Sequence, residues 1–98
     1  MNQKFLAIIN WLSKEQGGRG NIPPIGSRFG CIIVAKGVQL NLNEACWSLI
    51  IEINEKSSKF ETIANVYYLS DEAPNKLCKG YEFDLYDGTK FVANGIIL

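Results

Sequence analysis

The stretch from Tyr81 to Ile97 restricts the fold more tightly than any other part of the chain. Tyr81, Phe83 and Leu85 alternate with Glu82, Asp84 and Tyr86, and an apolar run resumes at Phe91 after Asp87-Gly88. Alternation with a period of two, interrupted by Asp-Gly, is the signature of an antiparallel hairpin with one buried face. The side-chain period also fixes the register, because a slip of one residue exchanges the two faces. A two-residue Asp87-Gly88 loop would set Leu85 opposite Lys90, mixing core with solvent. A three-residue loop, Tyr86-Asp87-Gly88, with Gly88 at positive φ in a bulge, sets Phe83 opposite Phe91, Tyr81 opposite Ala93 and Asp84 beside Lys90. This second register is the expected one.

Other segments have the same strand length. Lys4–Leu12 is apolar on both faces, with Phe5, Ala7, Ile9 and Trp11 on one and Leu6, Ile8 and Leu12 on the other. That pattern reads as a strand buried on both sides, or one passing over a closed barrel. Phe29–Lys36 is β-branched, and Gly37 ends it. Val38–Leu42 alternates and is expected to be a short strand. Cys46–Asn54 places Trp47, Leu49, Ile51 and Ile53 on one apolar face. Glu55–Lys59 is a polar turn, Phe60–Leu69 another strand, and Ser70–Gly80 a polar loop containing Pro74. Short strands with close turns and no convincing helix predict an all-β fold: a small antiparallel barrel or sandwich of six or seven strands.

Ninety-eight residues form one domain, residues 1–98, with enough core to fold without a metal or disulfide staple. Formal net charge is zero, yet residues 1–40 hold five basic side chains against Glu15 alone, and the remainder is correspondingly acidic. A neutral molecule has no long-range field to gather nucleic acid, although a local basic patch still can. Cys31, Cys46 and Cys78 are odd in number and widely spaced, and the chain has no histidine. This predicts thiols rather than disulfides or a zinc site, no metal or other cofactor, and a cytoplasmic setting. No run of apolar residues approaches the ~20 that a transmembrane helix needs. No membrane association is expected.

Between the first two strand segments lies the glycine- and proline-rich stretch from Ser13 to Phe29, which holds both arginines, Arg19 and Arg28. Loops of this length in compact domains are often functional. Lys14, Arg19 and Arg28 offer three cations, and each guanidinium is shaped for bidentate contact with a carboxylate or phosphate. A structural role is compatible with this. Gly17 and Gly18 would supply positive φ, the prolines would stiffen the loop, and one arginine would pair internally.

These residues also carry a resemblance. Leu12-Ser13-Lys14-Glu15-Gln16-Gly17-Gly18-Arg19, then proline, then Gly26-Ser27-Arg28-Phe29, resembles the start of the C-terminal β-barrel domain of bacterial elongation factor Tu, its third domain. The chain's end, from Gly80-Tyr81-x-Phe83-x-Leu85 through Phe91–Ile97, is similar to that family's closing hairpin. The two ends cover about half the chain. Ser27 stands where the family has tyrosine, the Pro-x before Phe29 is missing, and Phe60–Leu69 has no counterpart. The resemblance implies a stand-alone barrel acting as a binding module, because in the factor this domain contacts tRNA, the GTPase domain and protein partners.

No motif for phosphate binding of the Gly-x-x-x-x-Gly-Lys-Ser/Thr kind is present, so nucleotide hydrolysis is not expected. Asp71-Glu72 and Asp84/Asp87 fit solvated turns and outward strand positions better than acid–base pairs, and no histidine stands by to activate a thiol. Trp11 and Trp47 read as core residues. Tyr67-Tyr68 places one ring on each face, one of them a contact residue. Gly95 marks a bulge or a close backbone approach.

The expected function is therefore non-enzymatic. The module binds a protein through the Lys14–Arg28 loop, with Lys14, Gly17, Gly18, Arg19, Arg28 and Tyr68 as contact residues. An immunity-type inhibitor of a toxin is one form of this, and binding of structured, tRNA-like RNA is the alternative. An incompletely closed barrel would also leave an edge strand for a homodimer.

Overall fold

A computed structural model of the chain describes residues 3–18, 22–41, 46–73 and 77–98. Six strands form it: β1 (Phe5–Trp11), β2 (Arg28–Ala35), β3 (Trp47–Lys56), β4 (Glu61–Tyr68), β5 (Glu82–Asp87) and β6 (Lys90–Ile97). They close into an antiparallel barrel in the order β1-β4-β3-β2-β5-β6. Of the barrel and sandwich that the short strands allow, the all-β barrel is what forms. Both neighbours of each strand are occupied, so the edge strand expected to mediate a dimer does not exist among the described strands.

The ring closes with a stagger. Pairing partners followed from Trp47 run through Ile33, Leu85, Ala93 and Trp11, whose N–H donates to the Phe60 carbonyl. Phe60 precedes β4 and lies beside the far end of β3, several residues from Trp47. Tilted, staggered strands of this kind let a small barrel fill its interior with side chains.

The interior is built from alternate residues. Ala7, Ile9 and Trp11 of β1 meet Leu49, Ile51 and Ile53 of β3, Ala64 and Val66 of β4, and Phe83 and Leu85 of β5. The opposite face of β1 is not buried: Leu6 remains 43% exposed. That face lies on the outside of the barrel, with none of the described residues burying Leu6, which corrects the expectation of burial on both sides.

One polar pair sits in this core. The Trp11 indole N–H donates to Oγ1 of fully buried Thr62 across 2.9 Å. A buried donor left without an acceptor costs about 1–3 kcal/mol. Thr62→Val keeps the shape and removes the acceptor, so urea denaturation is expected to show a loss of about that size. A loss below ~0.5 kcal/mol would mean that the indole finds another partner.

Two strand assignments change. Val38–Asn41 is not a strand. The Val38 N–H turns back to the Ala35 carbonyl, Gly37 takes a φ of 79°, and Val38 stays exposed. The ring is complete without this segment, so its alternation has no sheet to face. Leu42 lies outside the described residues.

The closing hairpin turns on Gly88-Thr89, with Asp87 opposite Lys90 and Tyr86 opposite Phe91. Its bulge falls at Val92, so Leu85 faces Ala93 and Phe83 faces Gly95, not Phe91. Gly88 has the expected positive φ, 62°. The register has a steric reason. A Cβ on Gly95 would lie 2.6 Å from the Phe83 ring and 2.8 Å from Ile9 Cδ1, so only glycine leaves room for that ring. Phe91 instead packs against Tyr86, their ring centroids 5.4 Å apart.

Candidate functional site

The described part of the Ser13–Phe29 loop is well tied down. Ser13 caps a single 3-10 turn, Lys14–Gln16. Its hydroxyl accepts the Gln16 N–H at 3.3 Å, and Gln16 Oε1 accepts the Ser13 N–H at 3.0 Å. This is a reciprocal capping box. Gly17 closes the turn at a φ of 91°, where a side chain would be strained. Gly18 is buried against Leu12, and a Cβ there would collide with the Leu12 carbonyl. Both glycines therefore have structural reasons to be present. Lys14 is exposed on the turn, and Arg19 lies outside the described residues. Downstream, Ser27 donates its N–H to Pro24 and Gly26 takes a φ of 90°, which delivers the chain into β2.

Arg28 opens β2 on the outer face of the barrel. Register places it opposite Glu52, which lies opposite Asn65, which lies opposite Leu6. The neighbouring strands β2, β3, β4 and β1 thus bring Lys4, Arg28, Glu52, Tyr67, Tyr68, Leu69 and Asp71 around a shallow cleft of about 370 Å³. Lys4 Nζ meets Glu52 Oε1 at 2.9 Å, whereas Arg28 reaches Glu52 Oε2 only through Nε, at 3.7 Å. Both cations lie over the Tyr67 ring, 5.2 and 5.7 Å from its centroid. The Arg28 side chain is 64% exposed. Among the described residues Glu52 is the acid that Arg28 pairs with.

Of the six expected contact residues, the structure brings Arg28 and Tyr68 to one cleft, and Lys14, Gly17 and Gly18 do not line it. The outward ring is Tyr67; Tyr68 points into the barrel and is 8% exposed. Sequence reasoning missed Lys4, Glu52, Tyr67 and Leu69. The only local signal was the Tyr-Tyr alternation, since the strand register alone assembles the rest.

The acidic candidates do not converge on a site. Asp84, read as an outward solvated residue, points outward but is buried, because the Ala35–Val38 turn folds over it. Its Oδ2 accepts the Gly37 N–H at 3.2 Å. Asp71 and Glu72 are exposed on a turn. Among the described residues no cluster of three or more thiol or carboxylate groups is arranged to hold a metal ion.

Tyr81 stacks on Phe83, and burial, then the nearby Cys78 thiolate, raises its phenol above the ordinary value. The folded state therefore holds this proton more tightly than the unfolded chain. The stabilisation is full below the unfolded tyrosine value of about 10 and is lost as pH rises through the folded value. In ultraviolet phenolate titration, Tyr81→Phe is expected to remove an ionisation that lies above the ordinary tyrosine value, and loss of one at the ordinary value would contradict the assignment.

The fold and cleft thus define a small closed β-barrel with a mixed-charge, aromatic-floored cleft on its outer wall. No protein-family model matches the chain, and no curated protein matches it as a relative. No helix among the described residues is long and apolar enough to cross a membrane.

Proposed function

We propose that the chain is a non-enzymatic binding module that engages a protein partner through the Arg28 cleft and the adjoining Lys14–Arg28 loop. The observation that supports this most is the loosely held Arg28. A guanidinium paired through one nitrogen at 3.7 Å, over an aromatic ring, retains its fork for a carboxylate or backbone carbonyl of another molecule. Arginine and tyrosine are also the residue types on which interface energy concentrates.

Charge supports a protein partner over RNA. Glu52 and Asp71 line the same cleft as Lys4 and Arg28, and Leu69, 65% exposed, borders it. Two carboxylates repel a phosphate backbone, whereas mixed charge around an apolar residue suits a protein surface. Kinship with the third domain of elongation factor Tu belongs to this proposal, and an antiparallel barrel that binds other proteins through its outer wall is in keeping with it. An inhibitor of the immunity type would use the same surface.

Capture on the immobilised chain, with and without nuclease, tests the reading. Nuclease should leave the captured protein in place, and Arg28→Ala should reduce its recovery about tenfold or more. Release by nuclease would support RNA instead, and unchanged recovery with Arg28→Ala would remove the cleft from the interface.

A further inference from the structure

The outer face of β1 carries apolar side chains that the barrel interior does not use. Ile8 is paired with Ile63 on one side and Ile96 on the other, all three pointing outward and only partly covered. One row further along the strand is Leu6, and the Leu98 N–H donates to the Leu6 carbonyl, extending that row. Leu6 and Leu98 are 43% and 48% exposed. Cross-strand neighbours on one face lie ~5 Å apart, which places Ile8, Ile63 and Ile96 side by side, with Leu6 and Leu98 in the adjacent row. Asn65 shares the Leu6 row, and the next row up contains Tyr67, with Lys4 over its ring, so the patch borders the Arg28 cleft across Leu6 and Asn65.

We infer that this apolar patch and the cleft form one continuous docking surface. Its occupant is a protein partner that seats apolar side chains on Ile8, Ile63 and Ile96 and places a carboxylate on the Arg28 fork. This rests on the module reading above and names the chemistry of its partner.

Area argues for a heterologous partner over a second copy. With strands ~4.8 Å apart and a same-face repeat of ~6.8 Å, the patch covers on the order of 300 Å². A stable interface needs roughly 800 Å² per partner, so the patch alone does not sustain a dimer, and the occupant must extend across the cleft. Charge points the same way. Arg28 holds Glu52 at 3.7 Å while Lys4 holds it at 2.9 Å, so one carboxylate serves two cations and the weaker pairing yields to an incoming acid. The other outer flank of the sheet is polar, with Asn10 paired to Glu61 and to Asn94, and bounds the surface.

Site-specific photocrosslinking of the full chain, in the cells it comes from, provides the test. A photoreactive residue is placed singly at Ile8, Ile96 or Arg28, and at Tyr86 as a control outside this surface. Heteromeric adducts of one common size are expected from positions 8, 96 and 28, and not from 86. Adding Ile63→Ser to the position-8 protein should lower its adduct at least fivefold, with circular dichroism and melting temperature reporting that the barrel persists.

Adducts from position 28 but not from 8 or 96 would overturn the continuous surface while leaving the cleft as a binding site. No adduct at any of the three would overturn both readings. Adducts with twice the chain's mass, together with a dimer in analytical ultracentrifugation, would assign the face to a second copy and overturn the heterologous partner.

Discussion

Phe83→Ala is expected to destabilise the barrel by about 3–5 kcal/mol, the largest effect of any single truncation considered. Among the described residues Phe83 is the bulkiest fully buried side chain, and it lies opposite Gly95 on β6. Removing its ring takes away transfer energy and leaves a void next to Ile9 that a closed sheet cannot collapse to fill. Domains of this size have about 5–15 kcal/mol of stability in all, so urea denaturation should show a midpoint reduced by about a fifth or more. A loss below ~2 kcal/mol would mean that the ring is not the centre of the core.

Gly95→Ala comes next, with an expected loss of about 1–3 kcal/mol by overpacking. The added methyl would come within 2.6 Å of Phe83 and 2.8 Å of Ile9. Because the two residues share one space, their effects should not add. Phe83→Leu in the same chain should recover part of the loss, and a double mutant whose losses simply sum would disprove the steric coupling. The glycine is thus explained by the ring opposite it, not by any need for an unusual backbone angle.

The same pair indicates how far the fold was legible in the sequence. Alternation in Tyr81–Leu85 and the apolar run after Asp87-Gly88 identified the hairpin, and strand lengths elsewhere predicted the all-β barrel. The register was missed because it depends on which residue leaves space for Phe83, a fact that becomes visible only when two strands face each other. Val38–Leu42 misled for a related reason: alternation signals a strand only where a sheet edge is open, and the described ring has none. On β1, the second apolar face was legible but its burial was not, since sequence alone does not say what covers a surface.

The site was less legible still. Arg28 was singled out by its position in an unusual loop, and Gly17 and Gly18 by their type. The structure gives those glycines local reasons: a positive φ for one and a close approach to Leu12 for the other. What surrounds Arg28 comes from Lys4, Glu52 and Tyr67, which are dispersed in sequence and joined only by the stagger of four strands. No spacing rule finds such a set.

The claim at the centre of this account is that Arg28 binds another protein and does not merely stabilise the barrel. Its pairing with Glu52 is long and exposed, and pairs of that kind contribute about 0–1 kcal/mol. The most direct measurement is titration calorimetry of the captured partner against wild type and Arg28→Ala, with melting temperature recorded for each. Arg28→Ala is expected to raise Kd at least tenfold, or about 1.4 kcal/mol, at a melting temperature changed by no more than a few degrees. Equal affinity for the two proteins, or a loss of affinity that merely follows a loss of folding, would contradict it.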